Sequence, residues 1–322
     1  MKNPRILITT YHQAFLTKGG GEYELLFLAD SLKQRGFIVD IYGPYSCQLS
    51  YYDLVLHFSV HAGGIEILKE VKAAGKPIVI WPNFWILPGQ PVPVELMQEH
   101  VAFADLVIFK SQAEKKHFEA HVPIPASKVR CTSVVADSKY KSVAPEGLFK
   151  ALYGVDNYAI SLGIIEPKKN QLASIRALKK KKVPLVLVGR HRDEEYYAAC
   201  KSEGVDHVIF IEGLPPKSEI LRSALQNSLF YIELSHEPPG LSAIEAGLSG
   251  CRLLLSDSEW SREYFKDFAV YAKEDDENSI AYAIDDVLSR SRNQGELVKE
   301  MDRFCLPNSL DPLIDSLKEL VL

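Results

Sequence analysis

Apolar residues along the chain fall into two alternating patterns: short unbroken runs, and longer stretches in which they recur every three or four positions. The runs suit strands buried on both faces, and the spaced stretches suit helices with one apolar face. Residues 6–10 predict a first strand, followed by a glycine-rich loop over 17–21. A helix comes next, with Leu25, Leu26, Leu28, Ala29 and Leu32 at helical spacing and Gly36 placed to cap its end. Further strands are predicted at 37–42, 54–58, 77–81, 106–109 and 129–135, with helices near 65–74 and 112–120. The pattern pauses over 143–156, where Pro145, Gly147 and Gly154 stand among polar residues. It then restarts with strands at 158–163, 184–188, 207–211, 229–234 and 253–255. Between and after them lie helices at 171–181, 193–201, 218–226 and 241–248, and an amphipathic helix over 312–322. Strand–helix alternation on this scale predicts parallel sheets wrapped by helices. The expected fold is α/β, with two doubly wound, Rossmann-like domains facing a cleft. The expected division is 1–145, 146–305 and a C-terminal helical segment, 306–322, that crosses back to the first domain. Ligands in such sheets bind outside the carboxyl ends of the strands.

Composition narrows the function classes. A length of 322 residues fits two domains. With 47% hydrophobic and 25% charged residues the chain reads as globular, not disordered or fibrous. Its 37 Lys and Arg against 42 Asp and Glu leave a net charge of −5, which argues against a general nucleic-acid binder. The densest basic patch, 179–182, reads as a solvated helix end whose cations suit the helix dipole. No apolar run reaches the ~18 residues of a membrane span, and the longest candidate, 78–87, is broken by Pro82 and Asn83. Residues 6–10 are too short for a signal-peptide core. Five scattered cysteines without C-x-x-C spacing disfavour disulfide frameworks and zinc sites. The expectation is a reduced, cytoplasmic protein.

Two segments carry chemistry. Gly19-Gly20-Gly21, between the first strand and its helix, lets a ligand approach the backbone and offers helix-terminal amides to an anion; a plain turn reads equally well. The second segment, 235–250, sets Glu237 before a helix and Glu245 about one turn inside it. Its companions Leu241, Ala243, Ile244, Ala246, Gly247 and Leu248 are uncharged. A carboxylate on so apolar a helix needs a hydrogen-bonding partner. A ribose cis-diol fits, two donors facing two carboxylate oxygens, and Arg252 is the alternative partner.

At this point the chain resembles the retaining glycosyltransferases of GT-B fold, specifically the large family-4 group. Glu237-Pro-Pro-Gly-Leu-Ser-Ala-Ile-Glu245-Ala246 is similar to the family's E-G-F-G-L-x-x-x-E-A, with the same seven residues between the glutamates. Gly20-Gly21-Glu22 resembles its G-G-x-E opening, Ala104-Asp-Leu-Val-Ile-Phe-Lys-Ser111 its A-D-x-V-I-x-x-S strand, and Ser161–Asn170 its G-R-L-x-x-x-K segment. Residues 185–189 and 208–213 match later strands, so the resemblance covers most of the chain.

The resemblance implies a metal-independent transferase with no cofactor, whose donor substrate is a nucleotide diphosphate sugar. Glu245 would bind the ribose and Glu237 the hydroxyls of the donor sugar. The amides of Gly240 and Leu241, with Ser242 beside them, would hold the sugar or diphosphate. Lys169 would neutralise the departing diphosphate, and the Gly20 and Gly21 amides would approach the same phosphates. Gly189 and Arg190, at the end of a strand, complete the expected donor site. Arg190 is a substitute for the family arginine whose place is taken by Ile164. Pro238 and Pro239 stand where the family has residues with amides to donate. Residues 133–137 only partly match the family's P-N-G-V-D stretch. Asn83 corresponds to a family histidine and, with Trp85, is the expected acceptor contact. The acceptor itself is a glycan, a lipid-linked or a small-molecule hydroxyl compound. Contact with a membrane surface would fall to the helix 112–121, with Lys115 and Lys116; a solvated helix is the plainer reading. Two other readings compete: a non-catalytic GT-B module that binds a nucleotide sugar or a partner protein, favoured by Ile164 and the Pro-Pro pair, and a sugar-nucleotide epimerase, for which no additional acid and base groups stand out.

Overall fold

In the computed structural model, which describes residues 3–16, 19–87, 89–290 and 294–321, the apolar runs of the first part become six parallel strands. Thr17 and Lys18 of the expected glycine loop, and Leu322 of the expected last helix, lie outside the described residues. The chain divides into two units, Met1–Val135 with Leu306–Leu322, and Ala136–Cys305.

The first unit runs β1 (Arg5–Thr9), α1 (Gly20–Gln34), β2 (Ile38–Ile41), β3 (Leu54–Phe58), α2 (Ile65–Ala73), β4 (Ile78–Trp81), α3 (Val94–Phe103), β5 (Leu106–Phe109), α4 (Gln112–Glu119) and β6 (Val129–Cys131). Its sheet order is β2-β1-β3-β4-β5-β6, with every neighbouring pair parallel. The order reverses between β1 and β3, the point at which such sheets open toward ligands. Leu25, Leu28, Ala29 and Leu32 of α1 bury against Ile6, Ile8, Leu54 and Leu56, as their spacing predicts. The same core takes Leu310, Leu313, Ile314 and Leu317 of the C-terminal segment, whose helix is Asp311–Glu319. Arg35 pins that helix by donating to Asp311 at 2.6 Å. β6 is shorter than the predicted 129–135: its last rung is the Thr132 amide on the Phe109 carbonyl, and Val134 and Val135 are buried by packing alone. α3 escapes the apolar pattern because only Met97 and His100 are buried along it.

The second unit runs α5 (Leu148–Tyr153), β7 (Ala159–Leu162), α6 (Gln171–Lys181), β8 (Leu185–Val188), α7 (Glu194–Glu203), β9 (Val208–Ile211), α8 (Glu219–Asn227), β10 (Phe230–Glu233), α9 (Leu241–Leu248), β11 (Leu253–Ser256), α10 (Glu259–Phe265), β12 (Ala269–Ala272), α11 (Glu277–Ser289) and α12 (Gln294–Met301). Its parallel sheet is ordered β12-β11-β10-β7-β8-β9 and reverses between β10 and β7. α11 buries Ile280, Ala283, Ile284 and Val287, a helical spacing present in the sequence though absent from the predicted elements. Residues 136–145, expected with the first domain, belong to the second unit. The reason is local: Arg222 and Gln226 donate to the Ser142 carbonyl at 2.7 and 3.0 Å, and the Ala136 amide donates to the Phe304 carbonyl at 2.7 Å. Gly189 answers to packing, since a Cβ there would clash with the Gly163 carbonyl where β7 and β8 end.

Candidate functional site

The strongest convergence of charge among the described residues lies at the β7/β10 reversal of the second unit. β7 ends at Leu162 and the chain turns through a single helical turn, Pro167–Lys169. β10 ends at Glu233 and leads to α9 through residues 234–240. The two loops are tied together, because the Lys168 carbonyl accepts the His236 amide at 3.0 Å and the Ser235 hydroxyl at 3.3 Å. Across this tie the side chains pair. Glu237 receives Lys168 Nζ on one oxygen at 2.6 Å and Lys169 Nζ on the other at 2.8 Å. Lys169 also lies 3.5 Å from Glu233, and Glu166 draws Lys168 at 3.6 Å and Arg192 at 3.3 Å.

The charge states follow from these neighbours. Burial favours a neutral Glu237, but Lys169 and Lys168 outweigh it and hold the carboxyl below its ordinary range. Burial likewise opposes the Lys169 charge, and Glu233 and Glu237 outweigh it, so the ammonium is held above its ordinary value. Glu233 is oriented by the Tyr231 hydroxyl, which donates to it at 2.7 Å and stands 3.2 Å from Ser242 Oγ.

α9 starts at the N-cap Gly240, so the first-turn amides of Leu241 and Ser242 have no partner within the helix. Pro238 and Pro239, just before it, add none. Glu245, a turn further on, is half-buried. Burial raises its carboxyl to about 7, against the opposing pull of Tyr140 and Lys217. Arg252, the alternative partner, instead donates to the carbonyls of Leu229, Leu288 and Arg290. Arg190 is not brought into the cluster. Its side chain is 82% exposed and its guanidinium lies 3.6 Å from Glu212. Lys168 is brought into the cluster instead and has no place in the sequence-based site, although the doublet Lys168-Lys169 is visible. Glu233 and Tyr140 carried no signal beyond residue type.

In the first unit, Gly20 and Gly21 form the first turn of α1, and Glu22 folds back to accept the Gly19 amide at 2.8 Å. Gly21 and Asn83, predicted for different ligands, meet at one point: a Cβ on Gly21 would lie 3.3 Å from Asn83 Nδ2. Asn83 adopts a left-handed conformation (φ 48°) and accepts Lys110 Nζ at 2.6 Å on its side chain and a His61 contact at 3.0 Å on its carbonyl. Trp85, half-buried, lies 5.9 Å from the His61 ring. Behind them Lys110 pairs with Glu24 at 2.9 Å, and Trp81 donates to Glu24 at 3.2 Å. Glu114 accepts the backbone amides of Phe84 and Lys110, each at 2.7 Å. In α4, Lys115 pairs with Glu119 at 3.6 Å while Ala113, Glu114 and Phe118 face inward. Among the described residues no helix is long and apolar enough to cross a membrane.

Metal-ligand types come together once among the described residues, at His236, Glu274 and Asp275. Glu274 faces Nδ1 at 3.6 Å and Asp275 faces Nε2 at 3.7 Å, so the carboxylates flank opposite ring nitrogens. A single ion takes one of those nitrogens, and the arrangement reads as a histidine held between two acids.

Comparison with known proteins gives these sites a setting. Residues 149–303 match the family model of glycosyl transferases group 1. Among curated proteins, none is similar to the chain in sequence. Among solved structures, Anabaena HepE in complex with UDP is 17% identical, with 98% of this chain and 100% of that one covered and a TM-score of 0.79. Sucrose-phosphate synthase from Thermosynechococcus elongatus is 14% identical, covering 98% and 96%, with a TM-score of 0.68. The E. coli structure described as trehalose-6-phosphate bound with UDP-2-fluoro glucose is 12% identical, covering 98% and 99%, with a TM-score of 0.71. At such identities the likeness establishes the fold. The chain therefore has the fold of GT-B glycosyltransferases, and residues 149–303 of it match the glycosyl transferases group 1.

Proposed function

We propose that this protein is a retaining, metal-independent glycosyltransferase that moves a hexose from a nucleoside diphosphate sugar to a hydroxyl acceptor. The single observation that carries this reading is the convergence of Lys168, Lys169 and Glu237 on the β7/β10 reversal, at the start of the helix that bears Glu245. In a doubly wound sheet that reversal is where ligands bind. In this reading Glu245 accepts the ribose hydroxyls, and the amides of Leu241 and Ser242 at the α9 start hold the donor's phosphates or sugar. Lys169 and Lys168 meet the negative charge that grows on the diphosphate as it leaves, where preorganised cations lower the barrier most. Glu237, given up by the lysines as they turn to the phosphates, takes a sugar hydroxyl. Gly20 and Gly21 approach the diphosphate, and Asn83 and Trp85 meet a glycan, lipid-linked or small-molecule acceptor. HepE and the E. coli relative were both crystallised with uridine nucleotides, which supports a nucleoside diphosphate donor here.

The test is a panel of nucleotide sugars. The true donor raises the melting temperature, because a ligand that binds only the folded state stabilises it by about 2.7 kcal/mol at a hundredfold excess over Kd. Slow hydrolysis of that donor, unchanged by a chelator and giving a product of retained anomeric configuration by NMR, is the expected outcome. An inverted product refutes retention, and loss of activity with the chelator refutes metal independence. Ile164, in place of the family arginine, and the Pro238-Pro239 pair favour a second reading, a module that binds a nucleotide sugar without turnover. Donor binding with complete absence of hydrolysis and transfer selects it.

A further inference from the structure

We infer that Lys110 is a positioning residue for Asn83: its ammonium fixes the carboxamide so that only the amino group is left to meet a ligand, and the atom it meets is an oxygen of the donor's diphosphate. The inference rests on the reading that Gly20 and Gly21 approach that diphosphate, and it draws Asn83 from the acceptor to the same group. Lys110 directly follows β5, and its Nζ lies 2.6 Å from Asn83 Oδ1 and 2.9 Å from Glu24 Oε2. An ammonium has hydrogens to give and nothing to accept with, so the atom of Asn83 that it meets is the carboxamide oxygen. The amino group therefore points the other way. Glu24 anchors the ammonium from α1, and its second oxygen takes the Trp81 indole at 3.2 Å. Gly21 stands three residues before Glu24, on the same face of α1, and a Cβ there would come within 3.3 Å of Asn83 Nδ2.

The rest of Asn83 is held as well. Its backbone is left-handed, with φ of 48°, a conformation that asparagine tolerates better than most residues. Its carbonyl accepts a hydrogen from His61 Nε2 at 3.0 Å, and the next amide, that of Phe84, goes to Glu114 at 2.7 Å. Side-chain oxygen, carbonyl and following amide are thus all engaged, while Nδ2 has no hydrogen-bond partner among the described residues. Beside it lie the first-turn amides of α1, which have no acceptor within the helix. The carboxylate of that turn, Glu22, already takes the Gly19 amide and the Tyr11 hydroxyl. Donors gathered without a free acceptor suit a phosphate oxygen, which brings lone pairs and negative charge, better than a hydroxyl, whose hydrogen would find no place to go. Without the ammonium, the carboxamide is free to turn and offer its oxygen to the same point, where it repels a phosphate.

The experiment is calorimetric titration of the full chain with uridine, adenosine and guanosine diphosphates. Asn83→Asp keeps the shape and the tie to Lys110 but sets a bare oxygen where the amino group was. Its expected result is an affinity at least about tenfold weaker, the size of a lost hydrogen bond to a charged group, with a melting temperature that is unchanged or higher because Lys110 gains a charged partner. Lys110→Met is expected to weaken affinity about fivefold in the parent and not at all in Asn83→Gly, a background that keeps the left-handed turn and lacks the carboxamide. A lysine that merely held the fold would cost the same in both. Gly21→Ala, which crowds Nδ2 with a methyl group on a residue well suited to a helix, is expected to be weaker too. Parent-like affinity in Asn83→Asp, with Gly21→Ala weak, overturns the inference and spares the glycine reading; parent-like affinity in both overturns both. An equal loss from Lys110→Met in the two backgrounds overturns the positioning role. A parent chain that binds none of the three diphosphates overturns the donor reading and the inference with it. If Lys110→Met does not fold, the Asn83→Asp affinity decides.

Discussion

Each unit gathers lysines and carboxylates at the carboxyl ends of its strands, but the two clusters are wired differently. In the first unit one ion pair is backed by neutral partners. Lys110 holds Glu24 and the Asn83 side chain, Glu24 takes the Trp81 indole, and each Glu114 oxygen takes a backbone amide. In the second unit the partners are shared. Two lysines divide Glu237 between them, Lys169 is divided between Glu237 and Glu233, and Glu166 is divided between Lys168 and Arg192. A single ion pair fixes a structure, because either charge left alone is uncompensated. A shared network can release one member to an incoming anion and remain paired. The first cluster ties Lys110 to Asn83 beside Gly21, and under the proposed function the second exchanges an internal carboxylate for a ligand.

That contrast can be broken by mutation. The largest effect is expected from Lys169→Ala, which should lower turnover by about a hundredfold or more through lost stabilisation of the leaving group while the fold survives. Steady-state kinetics beside a melting curve checks this, and normal turnover would remove the role. Lys110→Met should do the opposite and cost up to about 3 kcal/mol of stability in denaturant unfolding, since Glu24 would be left half-buried without its cation. A change below about 1 kcal/mol would show that the first cluster is as exchangeable as the second.

A third expectation concerns two histidines near the first cluster. His57 bonds Thr9 at 2.9 Å, and its ring centre lies 5.2 Å from that of His100. Burial, with His100 adding to it, pushes His57 down to about 3, and burial also lowers His100. The folded-state value lies below the unfolded one of about 6.5, so between them the unfolded chain binds a proton that the folded chain refuses. Stability is full above about 6.5 and falls as pH drops toward 3, by up to about 1.4 kcal/mol per pH unit for each histidine. His57→Asn, which can keep the Thr9 bond, should flatten that decline in urea unfolding followed against pH; an unchanged slope would exclude His57 as its source. The smallest effects separate Lys168, inside the cluster, from Arg190, outside it. Lys168→Ala should reduce turnover about tenfold, and the exposed Arg190→Ala should leave donor affinity and stability within about 0.5 kcal/mol. Reversed results would restore Arg190 as the second cation.

The sequence by itself determined the layers and the existence of the helix that bears Glu245. Runs such as 78–81, 106–109 and 185–188 are apolar at every position, which a sheet covered on both faces satisfies, and Leu25, Leu28 and Leu32 fix the inner face of α1. Glu237 and Glu245 stood out because a charge beside an apolar helix is costly unless something meets it. Local patterning carries no information about partners far along the chain, and those only the tertiary structure decided. It set Gly21 beside Asn83, sent Arg252 to three backbone carbonyls in place of Glu245, and left Arg190 in solvent while turning Lys168 onto Glu237. It also returned residues 136–145 to the second unit. Each of these depends on which strands lie side by side at the point where the sheet order reverses. That order is set by the packing of whole layers, and no short stretch of residues records it.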